Sequence, residues 1–322
     1  MIDAAKKDAL LALGQYLKAV EYEFITPTPL THERVIKRDA VLAKPTLRDI
    51  FGWSRLFSPA DIKAETFSLM KQAGVLLKVA DQYKSSIRYS SLTSSSQGQH
   101  LFMHSAYPTI DADAVFFGPD SYRFAQLLRK VIPNLPLKKY NKVLDIGTGS
   151  GVGGIVAVNS MHNQYDELVL ADINPQALDF ANINATLADI KNVNFKQSNL
   201  YSSIKAPIDL IISNPPYLID AKSRAYRHGG GEYGSLLSSR IVEEGLPLLS
   251  PQGAMILYTA STIVNGQDTF LKSLQVTMRN KNYQFNYEEI DPDLFGEELL
   301  QPQYAQADRI AVVSLVVINK SK

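Results

Sequence analysis

The chain has 322 residues, a formal net charge of +1, 45% hydrophobic and 20% charged residues, and no cysteine. That length allows one large domain with a smaller one, or two of middle size. The lack of cysteine excludes disulfides, thiolate catalysis and Cys-ligated zinc. No apolar run approaches the roughly 20 residues of a membrane span. The first residues, Met1-Ile-Asp-Ala-Ala-Lys-Lys7, lack the apolar core of a secretory signal, so a soluble cytoplasmic protein is expected.

The small net charge hides an uneven split. Residues 1–105 hold 14 Lys/Arg against 10 Asp/Glu, and the remainder hold 19 against 22. Arg34, Lys37, Arg38, Lys44, Arg48 and Arg55 carry part of the excess. They form either a modest footprint for nucleic acid or an acidic partner, or a solvated mixed-charge face, which is the simpler reading.

In chain order, Ala9, Leu10, Leu13, Leu17 and Val20 have helical spacing, as do Phe67, Met70, Val75 and Val79. The polar stretch Ser90–Gly98 reads as a loop between short strands at 87–89 and 100–104. Helices followed by a hairpin suggest a smaller accessory domain over 1–112, winged-helix-like in outline. Trp53 and its aromatic neighbours read as core.

From about residue 113 the rhythm becomes strand–helix–strand. Phe124, Leu127, Leu128, Val131 and Ile132 form one helical face, with Asp120 as the expected N-cap. Strands are expected at 142–146, 168–173, 194–197, 209–213 and 254–259, with helices at 175–189 and 236–249 between them. Such alternation predicts an α/β fold with a doubly wound, mainly parallel sheet over 113–322. Segments 285–290 and 309–318 would add an antiparallel edge.

Three motifs carry chemistry. Two prolines after the apolar run Asp209–Ser213 cannot continue a central strand, since each lacks a ladder donor. Asn214-Pro215-Pro216-Tyr217 therefore makes a rigid turn at a strand's carboxyl end, the edge where open α/β sheets bind ligands. The Asn214 amide can accept from a substrate amino group there, and Tyr217 can offer a flat face. Asp145-Ile-Gly147-Thr148-Gly149-Ser-Gly151 joins a strand to a helix, and its glycines permit close approach of a ligand. Residues Gly149–Gly154 also fit G-x-G-x-x-G by letter, which invites a nicotinamide reading. That reading is weaker, because the first glycine lies too far past the strand and Asp145 suits an amine-bearing ligand. Asp172 ends the next strand, where a carboxylate can hold ribose hydroxyls, and Asn199 is placed near an adenine edge. Four glycines between Gly229 and Gly234, after Arg224, Tyr226, Arg227 and His228, read as a mobile loop. The remaining histidines, at 32, 100, 104 and 162, lack metal-ligand spacing.

In this order and spacing, Asp145–Gly151, Asp172 and Asn214–Tyr217 resemble class I S-adenosylmethionine-dependent methyltransferases. The resemblance covers 113–318 and is closest to the branch acting on planar nitrogen: release-factor glutamine-N5 methyltransferases and rRNA guanine-N2 or adenine-N6 methyltransferases. It implies a seven-stranded Rossmann-like sheet with a reversed last hairpin. It also implies a cofactor site of Phe117, Asp145, Gly147, Thr148, Gly149, Gly151, Asp172, Ile173, Asn199 and Asn214. Residues 1–112 do not show the helical N-terminal pattern of a release-factor enzyme, and Asn199 stands where such enzymes often carry an acid.

Carried over, the resemblance makes Asn214 to Tyr217 the acceptor site, with no metal required. The Asn214 oxygen and Pro215 carbonyl would accept the two N–H bonds of a glutamine or base amine. Stacking on Tyr217 would be worth about 1–3 kcal/mol for a base. The expected partner is a macromolecule, either RNA or DNA or a protein such as a translation factor. The alternatives are a NAD-dependent oxidoreductase, which leaves Asn214–Tyr217 without a task, and a non-catalytic cofactor-binding adaptor.

Overall fold

A computed structural model of the chain describes residues 2–38, 44–94, 98–161, 164–220, 224 and 226–321. Contacts divide it into two compact units. The first comprises Met1–Arg123, Gly149–Val152 and Pro175–Lys191, and the second Phe124–Thr148, Gly153–Asn174 and Asn192–Lys322.

The first unit opens with α1 (Ala4–Ala19), where the Asp3 carboxylate accepts from the Lys6 N–H as N-cap. α1 buries Ala9, Leu10, Leu13 and Leu17 in the unit's core. α2 (Pro29–Lys37) is capped by Thr28, α3 (Leu47–Phe51) by a Thr46/Asp49 capping box, and α4 (Ala64–Gln72) follows. The expected helical face from Phe67 to Val79 breaks at Gly74, whose φ of +64° ends the helix. Val75 and Val79 therefore lie beside and in β1 (Leu76–Val79), which pairs antiparallel with β2 (Gln82–Ser85).

The expected loop over 90–98 is also overturned: β3 (Ile87–Ser94) pairs with β4 (Gly98–Ser105), and only residues 95–97 fall outside the described residues. Polar composition misled here because the hydroxyls have partners inside the fold. Ser91 Oγ donates to the Phe24 carbonyl, and Ser90 Oγ lies 2.7 Å from His104 Nε2. Buried polar groups with partners are compatible with a strand interior.

Within this unit Asn184 is fully buried. Its amide nitrogen donates to the Met103 and Ser150 carbonyls, and its oxygen accepts from the Met103 N–H. Of the basic residues, Lys37 pairs with Glu33 and Arg55 with Asp49. Trp53 packs against the core, in edge contact with Phe24.

α5 (Pro119–Val131) begins two residues earlier than expected, so Asp120 is its second residue and not its N-cap. From here the chain is strand–helix in rhythm: β5 (Tyr140–Ile146), α6 (Val152–Ser160), β6 (Tyr165–Asp172), α7 (Pro175–Leu187, which belongs to the first unit), β7 (Val193–Gln197), β8 (Ile208–Ser213) and α8 (Leu236–Gly245). β9 (Leu249–Val264) runs 16 residues, well beyond the expected 254–259. The short β10 (Gln267–Asp268) pairs with it, α9 (Thr269–Ser273) follows, and β11 (Tyr283–Asp291) and β12 (Arg309–Asn319) close the chain order.

The sheet order is β11-β12-β9-β8-β5-β6-β7, with β10 added on β9. β7, β6, β5, β8 and β9 are mutually parallel, and β12 is antiparallel to both β9 and β11. This is the doubly wound α/β sheet that the alternation predicted, with the reversed last hairpin that the resemblance implied. Central strands are rich in apolar residues because both faces are covered, and every residue of β8 is buried, Asp209 and Ser213 included. The order in which strands are added reverses between β5 and β8, so the carboxyl ends of these parallel strands frame the crevice in which such sheets hold ligands.

Candidate active site

β5 ends at Asp145-Ile146, with Asp145 beside Leu170 of β6 and Ile212 of β8. The Asp145 carboxylate, 2% exposed, braces the turn that follows. Its Oδ2 accepts from Thr148 Oγ1 at 2.7 Å and from the Gly154 N–H at 2.8 Å. Burial pushes this carboxyl up to about 7, against the pull of the two bonds, and the nearby Asp172 charge adds to the rise. The N–H groups of Gly147 and Thr148 both donate to the Ala171 carbonyl, which curls the chain over the end of β6. Gly147 has φ +67°, and a Cβ built there would project into open space. The turn thus presents bare backbone at the sheet's edge, a cradle that a side chain would fill.

Asp172 ends β6 half-buried, and its Oδ1 accepts from the Asn174 N–H at 2.9 Å. Ile173, the next residue, is 55% exposed. The Ser198 N–H donates to the Asp172 carbonyl, which brings Asn199 beside Asp172 with its side chain exposed. Gly149, Gly151 and Phe117 belong to the first unit. There Gly151 lies against Ala181, and Phe117 is buried, stacked with Phe102 and His104.

The Asn214–Tyr217 turn follows β8. Ser213 Oγ donates to the Ile146 carbonyl at 2.7 Å, tying the ends of β8 and β5 together just before Asn214. Asn214 is half-buried, and its side-chain amide has no hydrogen-bond partner among the described residues. Pro215 and Pro216 leave the sheet, consistent with their missing donors. Tyr217 is only 8% exposed. Its ring lies 6.5 Å from that of Tyr258 and 6.0 Å from that of Phe295, so it mainly props the turn and leaves little face for a substrate.

The segment after Tyr217 is tied down where it is described, in contrast to the expected mobile loop. The Leu218 N–H donates to the Arg227 carbonyl and the Gly229 N–H to the Leu218 carbonyl. Added Cβ atoms at Gly229 or Gly234 would strike the backbone of 216–218, so these glycines serve close packing. Residues 221–223 and 225 lie outside the described set. Ser213, Tyr258 and Phe295 were missed in the sequence, where nothing marks a lone serine or distant aromatic as support for this turn. His228 accepts from the Asp220 N–H through Nδ1. Among the described residues no group of three or more His, Asp or Glu side chains is arranged to hold a metal. No helix there is long and apolar enough to cross a membrane.

The doubly wound sheet carries a glycine turn after its first parallel strand, an acid ending the second and an Asn-Pro-Pro-Tyr turn after the fourth, all at the strands' carboxyl edge. The chain belongs to the methyltransferase small-domain family, whose model matches residues 123–285. It is an S-adenosylmethionine-dependent methyltransferase. The bare Gly147 backbone beside the Asp145 and Asp172 carboxylates fits a cofactor with an amino-acid end and a ribose.

A provisionally named protein N5-glutamine methyltransferase from Methanocaldococcus jannaschii is 29% identical over 160 residues, covering 48% of this chain and 79% of that protein. A release factor glutamine methyltransferase from Deinococcus radiodurans is 29% identical over 200 residues, covering 59% of this chain and 66% of its own. Among solved structures, a ribosomal protein L11 methylase from Lactobacillus delbrueckii subsp. bulgaricus aligns with a TM-score of 0.43 at 16% identity, over 62% of this chain and 80% of that one. That likeness is too distant to inform the site.

Proposed function

We propose that this enzyme methylates the side-chain amide nitrogen of a glutamine in a protein. The observation that carries the reading is Asn214: a half-buried amide without a hydrogen-bond partner among the described residues, at the end of β8, where the Ser213–Ile146 bond and the two prolines hold the chain. The names of the relatives above support glutamine as the acceptor.

An amide nitrogen is a poor nucleophile, because its lone pair is delocalised into the carbonyl. The Asn214 side-chain oxygen and the Pro215 carbonyl oxygen accept its two N–H bonds. They thereby orient the nitrogen and offset positive charge that develops on it. S-adenosylmethionine, when bound, supplies a methyl group already activated by its sulfonium. Gly147 and Thr148 would bring backbone to the cofactor, Asp172 would accept from its ribose hydroxyls, and Asp145 holds the turn from beneath. Gly149 and Gly151 complete that turn. Tyr217, wedged between Tyr258 and Phe295, keeps the acceptor carbonyls in place. Residues 1–112 form the substrate-recognition part.

The test is incubation of cell extract with methyl-labelled S-adenosylmethionine and the enzyme, followed by nuclease or protease. Label that resists nuclease, yields to protease and co-migrates with N5-methylglutamine after hydrolysis is the expected result. Label lost to nuclease would overturn the glutamine reading and favour a base amine, toward which the basic excess of residues 1–105 leans.

A further inference from the structure

The acceptor turn is held by a buried ionic clasp whose far end is distant in sequence. Glu298 is 4% exposed and sits in the β11–β12 connection. Its Oε1 accepts from Arg227 Nη2 and its Oε2 from Gln301 Nε2. Arg227 Nε lies 3.6 Å from Asp220 Oδ1, and Asp220 also accepts from Arg224 Nε at 3.0 Å and from the Arg224 N–H at 2.9 Å. The Arg224 bonds, outweighing burial and joined by the charges of Arg224 and Arg227, hold the Asp220 carboxyl down to about 2. The same connection reaches the turn twice more. Tyr304 Oη accepts from the Ile219 N–H at 2.9 Å, and Phe295, at φ +64°, packs its ring on Tyr217.

We propose that Glu298 is a positioning residue for methyl transfer: acting through Arg227, it holds the Asn214–Tyr217 turn in the geometry that receives the acceptor amide, without touching substrate. The inference deepens the function proposed above and rests on it. Its logic is that of an expensive pairing. A carboxylate this buried is tolerated because Arg227 and Gln301 satisfy it. The Arg227 carbonyl is the acceptor for Leu218, so fixing the Arg227 side chain also fixes the backbone one residue beyond Tyr217. Asn214 has no side-chain hydrogen-bond partner among the described residues, so its direction depends on how firmly the following backbone is anchored.

The experiment compares the full-length wild type with Glu298→Ala, Glu298→Gln and Arg227→Ala. Amide hydrogen exchange at Leu218, Ile219 and Gly229 is followed together with S-adenosylmethionine affinity and transfer to a glutamine-bearing protein acceptor. Glu298→Ala and Arg227→Ala should each speed exchange at those three amides about tenfold or more relative to Ile256 of β9. Both should lower kcat by a similar factor while cofactor affinity stays within about threefold. Glu298→Gln, which keeps an acceptor for Arg227, should recover part of both effects, and the double variant should be little worse than either single one.

Exchange unchanged at the three amides, or raised equally at Ile256, would overturn the positioning role. So would a wild-type kcat in Glu298→Ala. If Glu298→Ala does not fold, the Glu298→Gln and Arg227→Ala pair supplies the same comparison. Failure of the glutamine reading looks different: the three amides respond as expected, which supports the clasp, while the wild type itself transfers nothing to glutamine.

Discussion

Replacing Asp145 by Asn should change how stability depends on pH. The carboxyl is 2% exposed, and burial raises it from 3.8 to about 7. Between those values the folded chain holds a proton that the unfolded chain releases, so stability falls as pH rises through this window. The stabilisation is fully present below about 3.8 and is lost once pH passes about 7. Ten-fold per pH unit corresponds to 1.36 kcal/mol, so the whole window is worth about 4 kcal/mol, an order-of-magnitude figure. Asn keeps an oxygen that can accept from Thr148 and Gly154 but has no proton to lose. Urea unfolding at pH 4.5 to 8.5 should therefore show the wild type falling relative to Asp145→Asn by several kcal/mol, with the variant equal or more stable at the alkaline end. Parallel curves for the two proteins would refute the reasoning. Adding Asp172→Asn to the wild type should move the fall to lower pH, because the Asp172 charge helps to raise Asp145.

Other expectations are simpler. Asn214→Ala should lower kcat by about 10²–10³ while S-adenosylmethionine affinity by calorimetry changes less than about threefold, since one preorganised acceptor is lost at the reacting nitrogen. Tyr217→Ala should cost about 3–5 kcal/mol in chemical unfolding, as it empties the space between Tyr258 and Phe295. Ser213→Ala removes the tie to the Ile146 carbonyl and should cost about 1 kcal/mol by the same measurement. Asn184→Ala in the first unit should cost about 3 kcal/mol or more, because it strands the Met103 N–H and the Met103 and Ser150 carbonyls.

Features that depend on backbone chemistry were readable in the sequence. Paired prolines at 215 and 216 must leave a central strand, glycines at 147, 149 and 151 permit positive φ, and apolar runs separated by helical stretches imply parallel strands. Features that depend on partners far along the chain were not. Ser90 and Ser91 looked like loop because composition does not reveal that Thr26, His104 and Phe24 will meet their hydroxyls. The glycines of 229–234 looked like flexibility, although at Gly229 and Gly234 the same lack of Cβ serves backbone packing against residues 216–218. Tyr217 looked like an offered face because Phe295, 78 positions on, gives no local sign of covering it. Asp145 was readable as a residue but not in its bracing role, which needs the return of Gly154 to its carboxylate.

The strand order has a consequence for biosynthesis. β12 is made after every other strand of the sheet, yet it lies between β9 and β11 and pairs along its length with both. Until residues 309–319 have left the ribosome, β9 presents a largely apolar unpaired edge and β11 an unpaired one, the kind of surface that templates association with other chains. A ribosome stalled before Arg309, or a nonsense change there, would release a chain with two open edges instead of one finished sheet. Such truncated products should be chaperone-bound or insoluble, even though every residue from Asp145 to Tyr217 is already in place.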